Sequence, residues 1–112
     1  MIRIAALLIS CILMAAPAWK EVRKFSGSGP KETESFDVAS REWRITWRAK
    51  PTETAGYFGV TVHDSEDKLV SLAANTATGG GDTSYVRGRP GRYYLKINSA
   101  NMAYGIVVED QR

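Results

Sequence analysis

The sequence predicts an all-β domain, an antiparallel β-sandwich of about eight short strands preceded by an N-terminal signal helix. Three observations predict it. Several segments alternate apolar and polar residues with a strict period of two, the mark of a half-buried strand. Clusters of Gly, Pro, Asp and Ser break the chain at short intervals. Beyond the first 18 residues no helical period occurs. Strands with one apolar face each are buried most economically as two sheets packed face to face.

The chain opens on Arg3, an apolar run over 4–16 and then Pro17-Ala18-Trp19. A cation, an apolar stretch and small residues at Ala16 and Ala18 are the three parts of a secretory signal peptide, which places a cut between Ala18 and Trp19. The run is shorter than the about 20 residues that a membrane anchor needs. The expectation is an exported domain over 19–112, periplasmic or extracellular, with no transmembrane span in the mature form. The alternative is a lipoprotein anchored through Cys11, because Leu8-Ile9-Ser10-Cys11 resembles a lipobox. That cut would leave the apolar Ile12-Leu13-Met14 on the mature protein, so Cys11 reads better as part of the leader.

The remaining elements follow in order. Short strands are expected at 21–25 and 35–38. At 42–48, Trp43, Ile45 and Trp47 face one way while Glu42, Arg44, Thr46 and Arg48 face the other. At 57–63, Phe58, Val60 and Val62 point inward, against Tyr57, Gly59, Thr61 and His63. Further strands fall at 69–73 and 83–87. At 92–98, Tyr93, Leu95 and Ile97 are inward and Arg92, Tyr94, Lys96 and Asn98 outward. Met102, Tyr104, Ile106 and Val108 line one face of the last strand, 102–109. Turns rich in Gly, Pro, Ser and Asp separate these segments, among them Ser65-Glu66-Asp67-Lys68 and Gly88-Arg89-Pro90-Gly91.

Composition narrows the function classes. The chain has one cysteine, and it lies in the leader, so the mature domain folds without the disulfide that small exported domains often use. Its three Trp, five Tyr and three Phe all lie beyond residue 18 and supply the core instead. Fifteen Lys and Arg stand against twelve Asp and Glu, and Arg3 leaves with the leader. So mild an excess argues against a nucleic-acid partner.

The segments 33–38, 42–47 and 91–98 together resemble a group of uncharacterised small bacterial exported proteins and lipoproteins, in which a last strand with an aromatic at the position of Tyr104 closes the domain. The layout is also similar to bacterial pre-peptidase C-terminal domains, jelly-roll-like β-sandwiches attached to secreted enzymes. This chain departs from them in standing without an enzyme. The resemblance implies a fold, a compartment and accessory binding, and it carries no catalytic residues.

No catalytic constellation stands out. His63 is the only histidine and reads as an exposed strand-end residue; no nucleophile-elbow sequence accompanies it. Gly79-Gly80-Gly81 leads into a strand, which a phosphate cradle does not. No cofactor is expected. Asp64, Glu66 and Asp67 crowd one turn, with Asp82 and Asp110 as further oxygen donors, a calcium-type set. The full calcium-loop pattern is absent, and a solvated turn accounts for the same residues. The outward residues Arg44 and Arg48 form one basic row, and Arg92, Tyr94 and Lys96 another. Were the two strands neighbours, they would make one basic, tyrosine-marked surface for a carboxylate- or phosphate-bearing polymer. Alternation would equally give an ordinary solvated face, with Glu42 and other acids pairing the cations. Tyr57 and Tyr94 also point outward, as a sugar-stacking pair would.

The sequence therefore predicts a non-catalytic exported binding or accessory module of the bacterial envelope, with an envelope polysaccharide or a protein as partner. The alternative is an inhibitor or accessory partner of a secreted protease, acting through the loops at 75–82 and 87–91.

Overall fold

A computed structural model describes residues 18–111; the predicted signal helix and Cys11 lie outside them. The described chain forms nine strands: β1 (Trp19–Gly27), β2 (Lys31–Glu32), β3 (Phe36–Val38), β4 (Glu42–Pro51), β5 (Tyr57–Asp64), β6 (Leu69–Thr76), β7 (Gly80–Arg87), β8 (Gly91–Ala100) and β9 (Met102–Gln111). All pairings are antiparallel. One sheet has the order β1-β9-β4-β7; the other runs β2-β8-β5-β6, with β3 also paired to β8. No described helix is long and apolar enough to cross a membrane.

Eight of the nine strands fall where the sequence predicts strands, four from alternation and four shorter ones from the spacing of turns, and β2 is the addition. It makes only two pairs, Lys31 with Ile97 and Glu32 with Lys96, and both its residues are exposed. With no apolar face, it leaves no periodic signal. Just past it Thr33 completes the ladder, donating its amide to the Leu95 carbonyl at 2.9 Å and accepting the Leu95 amide on Oγ1 at 3.0 Å.

The core lies between the sheets and is built from the inward residues of β4, β5, β8 and β9. Trp43, Ile45, Phe58, Val60, Val62, Leu95, Met102 and Val108 are fully buried. Aromatic rings run through it in contact, Phe36 with Trp43 at 5.4 Å between centroids, Trp43 with Tyr93 at 5.1 Å, Trp47 with Phe58 at 5.5 Å and Phe58 with Tyr104 at 5.4 Å. These tilted and edge contacts are the arrangements ring quadrupoles favour. They join the two sheets, in a domain whose described residues include no cysteine.

Polar contacts fix the crossings between the sheets. The carboxylate of Asp110 is wholly buried and accepts the backbone amides of Ala39 at 2.6 Å and Ser40 at 3.3 Å, together with the Ser40 hydroxyl. It therefore caps the passage from β3 to β4. At the open edge the Ser84 hydroxyl of β7 donates to the Ala73 carbonyl of β6. Between them, the β6–β7 turn requires glycine at Gly79: its φ is 85°, and a Cβ there would sit 2.7 Å from the Ala49 carbonyl oxygen.

Candidate binding face

The two basic rows do not meet. β4 and β8 belong to different sheets, and the outward residues of each point away from the shared core. The composite surface expected from Arg44, Arg48, Arg92, Tyr94 and Lys96 is therefore replaced by two faces on opposite sides of the sandwich. Nothing in the alternation of a strand says which sheet it joins.

On the β8 face the predicted residues are already engaged. Arg92 pairs with Asp37 at 3.4 Å, its cross-strand neighbour. Tyr94 stacks on His63, with centroids 5.3 Å apart and planes at 22°, and its hydroxyl donates to Asp67. Lys96 Nζ lies 3.5 Å from the same Asp67 oxygen. His63 is consequently buried at 9% exposure, correcting its expected place at an exposed strand end. Its Nε2 meets the Thr61 hydroxyl at 2.9 Å. Tyr57 lies over Gly59 and pairs with Ala100, whereas Tyr94 pairs with His63. Six residues of strand, about 20 Å, keep the two tyrosines from forming one platform.

The calcium-type set disperses as well. Asp64 turns back on its own chain, accepting the amides of Lys68 and Glu66 at 2.9 Å each. These bonds, the Lys68 amide first, hold its carboxyl below the usual range. Glu66 pairs with Lys68 at 3.5 Å, and Asp67 faces Tyr94 and Lys96. Asp82 sits on β7, and Asp110 caps the β3–β4 passage. Among the described residues no three His, Cys, Asp or Glu side chains converge as a metal site would require. The turn explains its acids by itself.

The outer face of the β1-β9-β4-β7 sheet is different, because its two arginines part company. Registers across the strands align Glu21, Glu109, Arg44 and Tyr85 in one row. Arg44 Nε bonds Glu109 Oε1 at 2.7 Å, which raises the guanidinium pKa against the opposing effect of burial. Its plane lies 4.2 Å from the Trp19 ring centroid, a cation–π contact. Trp19 meets Tyr85 edge-on at 5.9 Å and 63°. Arg44, expected as a ligand group, is thus the strut of an aromatic cluster.

Arg48 stands two rows further along, between Gly105 of β9 and Gly81 of β7. Neither neighbour carries a side chain: the Gly105 side is open, while the Arg48 stem lies over Gly81, where a Cβ would come 3.3 Å from Arg48 Cγ. One cleft, of about 430 Å³, is lined by Lys24, Ser26, Thr46 and Arg48, and an adjoining one of about 420 Å³ by Arg48, Lys50, Gly81 and Gly105. A Cβ at Gly105 would meet nothing within 4 Å. Among the described residues no carboxylate lies within ion-pair reach of Arg48. An exposed guanidinium beside the open floor at Gly105, with Lys50 in the same cleft, can receive a carboxylate or phosphate in bidentate fashion.

Arg48 is the residue of the predicted set that the structure leaves open. Trp19, Tyr85, Lys24 and the two glycines were not singled out. A glycine inside a strand pattern is a known sign of close approach or open room, and Gly105, flanked by Tyr104 and Ile106, carried it.

No protein-family model matches the sequence, and no curated protein matches it. Solved structures of similar fold include the pre-peptidase C-terminal domain of a collagenase from Bacillus anthracis, 16% identical with a TM-score of 0.49 over 77% of this chain and 86% of that one. The C-terminal CBM6 of LamC, a marine laminarinase from Zobellia galactanivorans, is 10% identical with a TM-score of 0.44 over 80% and 90%. The SPBc2 prophage-derived protein YomS is 13% identical with a TM-score of 0.45 over 83% and 93%. At these identities the likeness is one of β-sandwich fold and says nothing of ligand or activity.

Proposed function

We propose that this chain is a non-catalytic, exported binding module of the bacterial envelope that holds an anionic polymer in the trough around Arg48. The observation that carries the reading is Arg48 itself, an exposed guanidinium between two strand glycines that has no carboxylate partner among the described residues. The strand order is the one expected of a jelly roll, which we take as the fold. Export rests on the leader over 1–18, and β1 begins at Trp19, so a cut at Ala18-Trp19 would leave that strand whole. The alternative, an inhibitor or accessory partner of a secreted protease, would act through the loops at 75–82 and 87–91. Its loops leave opposite ends of β7, and the second is tied down by Tyr93, whose hydroxyl donates to the Arg89 carbonyl at 2.5 Å.

Retention of the purified domain on immobilised polyuronate and polyphosphate, beside a neutral glucan, tests the binding reading. Retention by the anionic matrices that weakens with salt and drops about tenfold in Arg48→Gln is expected. No retention, or retention unchanged in that variant, overturns it. Gly105→Leu should act like Arg48→Gln by filling the trough, while keeping the thermal midpoint. For the compartment, the N-terminal sequence of protein recovered from an envelope fraction should begin at Trp19. A lipidated Cys11 would replace that proposal with the lipoprotein one.

A further inference from the structure

We infer that the anionic polymer is an acidic polysaccharide lying along β4, with a sugar ring on Tyr85 and a carboxylate on Arg48. This rests on the trough reading above and narrows it to one ligand class. The basis is the order of chemistry along a single face. Tyr85 is opposite Arg44, and Arg48 is four residues further along β4, about 13 Å at strand rise.

Tyr85 differs from the other four tyrosines. Tyr93 and Tyr104 are in the core, Tyr94 is stacked on His63 and Tyr57 lies over Gly59. Tyr85 remains 56% exposed, yet it is held from behind. Its edge contact with Trp19, the Trp19 ring over Arg44 and the Arg44–Glu109 bond form one chain of support. A rigid aromatic presents its surface at low entropic cost.

Between platform and cation lies a row of small hydroxyl groups. Thr46 and Thr83 face each other across β4 and β7 with their Oγ1 atoms 3.1 Å apart, and both side chains can accept or donate. The charges on the face are polarised to match. Glu21, Glu42 and Glu109 lie toward the platform end, each with a cation partner, Lys24, Arg87 and Arg44. With those carboxylates paired, the Tyr85 end can stack the face of a sugar ring, and a carboxylate suits Arg48. Polyphosphate has no ring to use the platform, and a neutral glucan has no anion for the guanidinium.

The test is calorimetric titration of residues 19–112 with oligouronates of graded length, equal-length neutral glucan oligosaccharides, and polyphosphate. Oligouronate affinity should rise at the length that spans both groups. Arg48→Gln should weaken polyuronate and polyphosphate alike, about tenfold. Tyr85→Ala should weaken only the uronate, about fivefold or more, while Tyr85→Phe keeps its affinity. If Tyr85→Ala binds oligouronate as the parent does while Arg48→Gln fails, the trough reading stands and the polysaccharide inference falls. The inference also falls if neutral glucan binds as tightly as the uronate. If neither anion binds, both readings fall together. Tyr85 is an exposed residue of an edge strand, and an unchanged thermal midpoint in each variant ties its result to the site.

Discussion

Asp110 and Asp64 show how a carboxylate can be occupied by its own backbone. Asp110, without exposed surface, receives the amides of Ala39 and Ser40. Asp110→Ala would leave those donors without their charged acceptor and should cost about 3 kcal/mol, read from urea unfolding. Asp64 is partly exposed and its pKa is lowered by the Lys68 and Glu66 amides. A depressed folded pKa means that its contribution is present above the ordinary carboxylate range and is lost as pH falls through the folded value. An NMR titration should therefore place the Asp64 midpoint below 3.8, with the Glu66 and Lys68 amide signals moving at the same pH. A midpoint at the ordinary value would mean that the turn bonds do not persist in solution. At this scale Arg44 and Arg48 were indistinguishable in the sequence, both outward on one strand. What separates them comes from distant parts of the chain: Glu109 and Trp19 for the first, Gly81 and Gly105 for the second. Local pattern cannot report a partner sixty residues away.

At the level of elements, alternation located β4, β5, β8 and β9, whose inward residues are buried. Turn spacing placed four shorter strands, and β2, with both residues exposed, gave no signal. Alternation also assigned the inward aromatics correctly: Trp43, Trp47, Phe58 and Tyr93 are all in the core. Strand order was beyond it, since the side-chain period is the same in either sheet, and the expected joint surface of β4 and β8 depended on that order. Two glycines now make opposite predictions. Gly79→Ala places a Cβ against the Ala49 carbonyl oxygen at positive φ and should lower stability by more than about 1 kcal/mol. Gly105→Leu, over open space, should leave the thermal midpoint within the range of ordinary surface substitutions. Thermal unfolding of the two variants side by side checks both.

For the whole molecule, stability without a disulfide in the described domain rests on the shared core. Trp43→Ala should cost about 3–5 kcal/mol in the same urea assay, since its ring touches both Phe36 and Tyr93. Most pairings join strands far apart in sequence, β1 with β9 above all. Such topologies fold in milliseconds to seconds, slower than helical domains, and stopped-flow refolding by tryptophan fluorescence should fall in that range.

The place of β9 between β1 and β4 has a bearing on timing as well as on architecture. Until residues 102–111 have been synthesised, the first strand has no neighbour and β4 lacks one of its two. The growing chain is thus denied the strand that joins its first element to β4 until residues 102–111 have emerged. The β1-β9-β4-β7 sheet therefore closes last at its middle rather than at an edge.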